Sequence, residues 1–248
     1  MHNRGSSALV AALVFGFYSA CLASFAAAQR PITIDDYFQI REVHDTQLSP
    51  DGRWIAYTVK TPLLKSDKNE ERIWMVPASS GDPIALTAAG VSSSHPRWSP
   101  DGKYIAFLSA RKGSKEQVWL LNRLGGEAER LTYTPQAVDE LTWSPDGSRL
   151  ALLLRDASLE EKEAFKEQNE REKEPDTDKD AKEKKPKTPR PWVIDRRQFK
   201  QDEIGYLDRR RTHLYVFDLA KRNLTQVTSG DYGRPGNYLV AGWQAIGV

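Results

Sequence analysis

Three stretches decide the fold: Leu48-Ser-Pro-Asp-Gly-Arg-Trp-Ile-Ala-Tyr57, Trp98-Ser-Pro-Asp-Gly-Lys-Tyr-Ile-Ala-Phe107 and Trp143-Ser-Pro-Asp-Gly-Ser-Arg-Leu-Ala-Leu152. Their serines, Ser49, Ser99 and Ser144, recur at spacings of 50 and 45 residues, a period that marks a repeat architecture. In each copy the proline presets φ for a tight turn, the aspartate bonds to local backbone, and the glycine accepts a positive φ. A strand must follow, because Ile55/Tyr57, Ile105/Phe107 and Leu150/Leu152 share one face at period two. The other face carries Trp54/Ala56, Tyr104/Ala106 and Arg149/Ala151, so both faces are largely apolar and a small alanine recurs. Such a strand belongs to a sheet sandwiched between neighbours.

Outward from each turn the same elements return. Ile73–Val76, Val118–Leu121 and Leu214–Phe217 are short β-type runs. Each leads through a polar or glycine-containing turn to a closing strand ending at Leu86-Thr87, Leu131-Thr132 or Val227-Thr228. With the strand before each Ser-Pro-Asp-Gly, this gives four strands per repeat, about 43–87, 94–132 and 139–228. The predicted fold is an all-β propeller of four-stranded blades with three blades present; an open solenoid of the same units is the alternative. The third repeat is interrupted by a charged insertion over 157–191. Its first part, Ser158 to Glu174, has the composition of a helix with Ser158 as cap and Glu161 three positions on. From Pro175 to Pro191 it becomes a charged, proline-containing linker: a flexible arm toward a partner domain, or a solvated loop.

Residues 1–28 read as a signal peptide: Arg4 near the start, an apolar run from Ala8 to Ala20, and Ala26-Ala27-Ala28 before Gln29. Retention as a membrane anchor and lipidation at Cys21 are the alternatives. Residues 29–243 form the partial propeller domain. Cys21 is the only cysteine, so the exported portion has neither thiol nor disulfide, and packing alone must hold it. The net charge of +2, with bases and acids interleaved, argues against nucleic acid or anionic lipid as partner.

A search for chemistry yields no catalytic, cofactor-binding or metal-binding residues. The nearest approach to a serine-hydrolase elbow, Gly90-Val-Ser-Ser-Ser94, lacks the second glycine, and Ser92 reads as a polar loop residue. His44, His95 and His213 lack zinc-site spacing and suit edge or turn positions. Gly125-Gly126 lacks the Lys-Ser/Thr of a phosphate loop and reads as a hairpin turn. Trp54, Trp74, Trp98, Trp119, Trp143 and Trp243 read as blade packing, whereas Trp192 flanks the insertion. Arg196-Arg197 and Arg209-Arg210-Arg211 either bind a carboxylate or acidic surface at a propeller mouth, or serve as solvated charge.

These repeats resemble the propeller shared by prolyl-oligopeptidase-type serine peptidases and the periplasmic TolB protein. Thr33-Ile-Asp-Asp-Tyr-Phe38 resembles the entry segment of the acylaminoacyl-peptidase and dipeptidyl-peptidase-like branch. Arg190-Pro-Trp-Val-Ile-Asp-Arg-Arg-Gln-Phe-Lys200, Gly205–Asp208 and His213–Asp218 resemble that branch's third-blade insertion. The resemblance implies a propeller that caps a C-terminal α/β-hydrolase domain and admits short peptides to its triad. The expected function is therefore that of a non-catalytic, access-gating propeller portion of a secreted serine peptidase, periplasmic or extracellular, without cofactor. The expected partners are the hydrolase domain and peptide substrates. No position here matches a triad residue, so the chain alone is expected to be inactive. A TolB-like interaction propeller is the alternative. At Trp243 a fourth blade is expected to begin, but residues 244–248 diverge from Ser-Pro-Asp-Gly, as in a truncated or frameshifted product.

Overall fold

The computed structural model describes residues 30–111, 115–173, 200–201, 205–206 and 210–230. The signal peptide with Cys21, the linker to Pro191, Trp192, Arg196-Arg197, Arg209, Trp243 and the divergent end lie outside the described residues. The chain divides into two compact units, residues 1–40 and 41–248. In the first, the short helix α1 (Ile34–Tyr37) is started by Thr33, whose N–H and hydroxyl both donate to Asp36 Oδ2 at 2.8 and 2.9 Å. The Arg30 guanidinium is the chief cause that holds the Asp36 carboxyl well below the usual carboxylate range.

Among its described residues the second unit contains three four-stranded antiparallel sheets, as the repeats predict. The first is β1 (Glu42–Leu48), β2 (Trp54–Leu63), β3 (Lys68–Pro77) and β4 (Ile84–Ala85). The second is β5 (Ser93–Trp98), β6 (Tyr104–Ser109), β7 (Gln117–Asn122) and β8 (Glu129–Arg130). The third comprises β9 (Val138–Trp143), β10 (Arg149–Arg155), β13 (Thr212–Asp218) and β14 (Asn223–Gln226). Each sheet is a simple meander in which strands pair in chain order. No strand ladder joins one sheet to another among the described residues; side chains hold the sheets together, helped between the second and third by the Val138 N–H, which donates to the Glu116 carbonyl at 2.9 Å.

The insertion leaves and re-enters at the hairpin between β10 and β13, where Arg155 pairs with Thr212. It contains helix α2 (Leu159–Lys173) and a two-stranded ribbon, β11 (Lys200–Gln201) with β12 (Gly205–Tyr206). The helix begins as predicted: Glu161 N–H donates to Ser158 Oγ at 3.1 Å, and Ser158 N–H donates to Glu161 Oε2 at 2.9 Å.

The core lies between sheets. Alternation along β6 sends Ile105 and Phe107 toward the first sheet and Ala106 and Leu108 toward the third. On one side Ala56, Met75, Trp98 and Ile105 cluster, beside a second group of Ile73, Phe107, Trp119 and Leu121. On the other side Ala106, Leu108 and Val118 meet Leu141, Leu150, Leu152, Leu154 and Phe217. The two apolar faces read from the sequence are thus both buried, and at about 25 cal/mol per Å² these contacts are the main stabilising force.

Candidate functional site

Every feature of the turn between the first and second strand of each sheet is built three times. The serine hydroxyl donates to the aspartate Oδ1, at 2.5 Å for Ser49–Asp51 and 2.6 Å for both Ser99–Asp101 and Ser144–Asp146. The same oxygen accepts the N–H that opens the next strand, from Trp54, Tyr104 and Arg149, each at 2.9 Å. The glycine N–H closes the turn onto the serine carbonyl, and Gly52, Gly102 and Gly147 have φ of 69°, 69° and 72°. The serine hydroxyl bond is the largest cause lowering each carboxyl: Asp51 and Asp146 fall from 3.8 to about 2, and Asp101 moves the same way. Adjacent turns touch. A Cβ added at Gly102 would meet Pro50 Cδ at 3.7 Å, and one at Gly147 would meet Pro100 Cδ at 3.4 Å.

A second threefold feature closes each sheet. Thr87, Thr132 and Thr228 hydroxyls accept the N–H of Ile73, Val118 and Leu214 at 3.0, 2.9 and 2.9 Å. The sequence marks these threonines as ends of strands; their side chains take over the ladder where backbone pairing stops. In the second sheet the buried Gln117 extends this into a hub. Its Oε1 accepts from Thr132 Oγ1, Thr134 N–H and Thr134 Oγ1, and its Nε2 donates to the Thr134 and Gln136 carbonyls.

Indoles clip the sheets to one another. Trp98 Nε1 donates to the Gln47 carbonyl of the first sheet, and Trp143 Nε1 donates to the Arg97 carbonyl of the second, both at 3.0 Å. Arg97 also ties the first two sheets through Asp45, reaching both carboxylate oxygens at 2.8 Å. This pair sits where β1 and β5 are irregular: the register shifts between His44 and Gln47 and between Ser94 and Arg97. Asp45 and His95 occupy equivalent positions there and have φ of 50° and 55°. The bulges re-aim side chains on the first strands, which approach one another from sheet to sheet. Between the second and third sheets a cleft of about 340 Å³ is lined by Asp101, Tyr104, Trp143, Asp146 and Leu219, among others.

The residues singled out by chemistry take structural roles in this geometry. Ser92 Oγ accepts the Glu71 N–H at 3.1 Å and its carbonyl accepts from Ser109 Oγ, so it bridges the first two sheets. The serine–histidine contact of Ser94 Oγ with His95 Nδ1, at 3.1 Å, joins chain neighbours, and among the described residues no carboxylate pairs with that ring. His44 Nε2 lies 3.6 Å from Glu71, and the buried His213 lies 3.5 Å from Asp156. Among the described residues no group of three or more His, Cys, Asp or Glu could hold a metal ion. Gly125 and Gly126 have φ of 114° and 107° in a hairpin turn. Arg210 is tied to the insertion, donating to Glu161 at 2.8 Å, and the Arg211 N–H bonds to Asp156. Lys115 of the second sheet's hairpin also reaches Glu161, at 3.8 Å. No helix of the described residues is long and apolar enough to cross a membrane.

Comparison with known proteins agrees with this geometry. The family model described as "PD40: TolB beta propeller domain" matches residues 42–187. The uncharacterized peptidase YuxL of Bacillus subtilis is 38% identical over 82 residues, 33% of this chain and 12% of that protein. Dipeptidyl-peptidase 5 of Porphyromonas gingivalis is 26% identical over 112 residues, 45% of this chain and 16% of that protein. Among solved structures, the acylaminoacyl peptidase of Pyrococcus horikoshii superposes with a TM-score of 0.53 at 18% identity, over 76% of this chain and 25% of that chain. The chain thus matches only a small part of the length of these relatives, and the structural likeness establishes the fold.

Proposed function

Because the chain belongs to the TolB β-propeller (PD40) family, we propose that it is the non-catalytic propeller portion of a secreted serine peptidase. In this reading the blades restrict access to a hydrolase domain, so that short peptides pass and folded proteins do not. The observation that carries it is the 38% identity to a peptidase, confined to 12% of that protein's length. The rest of such a protein has room for a catalytic domain. The turns and indole clips support the gating role physically, since a filter must hold its aperture against thermal motion. An extracytoplasmic site of action fits both the TolB family and the Ala26-Ala27-Ala28 leader.

The test is to sequence the locus beyond codon 248 and to assay the purified products. This chain alone is expected to hydrolyse no dipeptidyl or acyl-aminoacyl chromogenic substrate and to take up no fluorophosphonate label. A product extended through a downstream hydrolase is expected to do both, and to cleave short peptides but not folded proteins. Hydrolysis by the present chain would overturn the reading. A locus with further blades and no hydrolase in any frame would instead support an interaction propeller, the second reading, which the TolB family match favours.

A further inference from the structure

The two joints between sheets are built from equivalent positions, with one exchange of chemistry. At the cleft between the second and third sheets, Asp101, Tyr104, Leu120, Trp143 and Leu219 are among the lining residues. The repeat and the strand register put Asp51, Trp54, Met75, Trp98 and Arg123 at the corresponding places between the first and second sheets. The correspondence of the last pair is fixed twice. Arg123 follows Asn122, the cross-strand partner of Tyr104, and Leu219 follows Asp218, the partner of Arg149. Their N–H groups also donate to matching carbonyls, Lys103 at 2.9 Å and Ser148 at 3.2 Å. At the first joint the Arg123 guanidinium reaches back to the preceding turn, with Nη1 3.7 Å from Asp51 Oδ2 and 23% of its side chain exposed. At the second joint Leu219 brings no charge to Asp101, and the joint is a cleft of about 340 Å³.

The cleft keeps the acidic half of that pairing. Asp101 Oδ1 and Asp146 Oδ1 are taken up within their own turns, by the Ser99 and Ser144 hydroxyls and by the Lys103 and Ser148 N–H groups. Asp146 Oδ2 accepts the Ser148 hydroxyl at 2.6 Å, and Asp101 Oδ2 lies 3.5 Å from Lys103 Nζ, whose side chain is 73% exposed. A carboxylate oxygen accepts more than one bond, so each Oδ2 has room for a further donor. Both carboxyls are held below 3.8, chiefly by the serine bonds, and are ionised at neutral pH. Among the described residues that line the cleft there is no lysine or arginine, and Tyr104 and Trp143 supply aromatic surface that attracts a cation. We propose that this cleft binds the guanidinium of an arginine side chain presented by a peptide segment, in the role that Arg123 fills at the first joint. A planar guanidinium can fork onto a carboxylate and lie along a ring at once, which an ammonium cannot. No basic residue in the lining can receive an α-carboxylate, so arginine within a chain suits the site better than the free amino acid. The site goes beyond the gating reading, and it holds whether the propeller serves a hydrolase or acts as an interaction module.

The experiment titrates the isotope-labelled full chain with N-acetyl-arginine methylamide and follows the Trp143 indole N–H and the amides of Asp101, Asp146 and Leu219 by NMR. Saturable shifts are expected there, while the amides of Asp51 and Trp54 at the first joint keep their positions. The citrulline analogue, which keeps the shape and loses the charge, is expected to bind at least about tenfold more weakly. The lysine analogue and free arginine are expected to bind more weakly as well. Leu219→Arg supplies the guanidinium from within and is expected to weaken binding at least about tenfold, whereas Leu219→Ala keeps it. Asp101→Asn removes the charge that Leu219 leaves without an arginine and is expected to weaken binding to a similar extent. Unchanged binding to Leu219→Arg would overturn the inference, and so would citrulline or lysine binding as tightly as arginine. Free arginine binding as tightly as the capped form would overturn the assignment to a peptide. The absence of any saturable shift in the wild-type chain would overturn the site itself. If Leu219→Arg fails to fold, the citrulline comparison and Asp101→Asn decide.

Discussion

Replacing Ser99 by alanine isolates one turn of the repeat from the rest of the fold. Ser99 is 3% exposed, and its hydroxyl makes two bonds that no other group can make: it donates to Asp101 Oδ1 at 2.6 Å and accepts the Tyr104 N–H at 2.9 Å. A hydrogen bond to an ionised carboxylate contributes about 1.5–3 kcal/mol, and an amide left without an acceptor costs about 1–3 kcal/mol. Water recovers part of the loss at the aspartate, because Asp101 is half exposed. The expected destabilisation is about 3 kcal/mol, which lowers the melting midpoint of a chain of this size by about 6–12 °C. Urea unfolding followed by far-ultraviolet circular dichroism measures it, with the slope unchanged, since the surface exposed on unfolding is the same. Ser80→Ala, in an exposed turn, is the control and is expected to stay within about 0.5 kcal/mol of wild type. A Ser99→Ala loss no larger than that of the control would refute the view that the serine, rather than the proline and glycine alone, holds the turn.

Three further outcomes follow from the same geometry. Because Asp51, Asp101 and Asp146 are lowered below 3.8 in the folded state, the stability they supply is present above that value and is lost on acidification, for Asp51 and Asp146 as pH falls through about 2 and for Asp101 in the same direction; acid unfolding checks it, and Ser99→Ala is expected to weaken this acid sensitivity. Trp143→Phe keeps a ring between the second and third sheets but strands the Arg97 carbonyl, so a loss of about 2 kcal/mol and faster amide exchange in β9 are expected. Thr58 is fully buried, and its hydroxyl lacks a hydrogen-bond partner among the described residues; Thr58→Val, which replaces the hydroxyl by a methyl group, is expected to raise stability by about 1 kcal/mol in thermal denaturation.

What the sequence made legible is what the chain encodes locally. Pro50, Pro100 and Pro145 and the glycines two residues later specify their turns within four residues, and the period-two faces of β2, β6 and β10 follow from their own side chains. The cap of α2 was readable for the same reason, since Ser158 and Glu161 are three residues apart. The joints between sheets were not. Nothing near Arg97 announces Asp45, 52 residues earlier, and the bulges that bring them together arise where strands from two sheets meet. Gln117 looks like an ordinary polar residue until Thr132, Thr134 and Gln136 converge on it from the other side of a hairpin. Arg210, read as a mouth-lining or solvated charge, instead anchors the insertion to its own first turn through Glu161. The recurring alanine was visible, but its purpose was not: Ala56 clusters with Trp98, and Trp143 packs against the cluster of Ala106, each indole coming from the next sheet.

That alanine gives the molecule a direction. In both clips the accepting carbonyl precedes the donating indole along the chain, Gln47 before Trp98 and Arg97 before Trp143. A chain synthesised amino end first therefore presents each receptor before its occupant has arrived. Every finished blade becomes the surface on which the following one can settle, without waiting for distant partners. Assembly can then keep pace with synthesis, and the apolar face waiting for cover at any moment is confined to one blade.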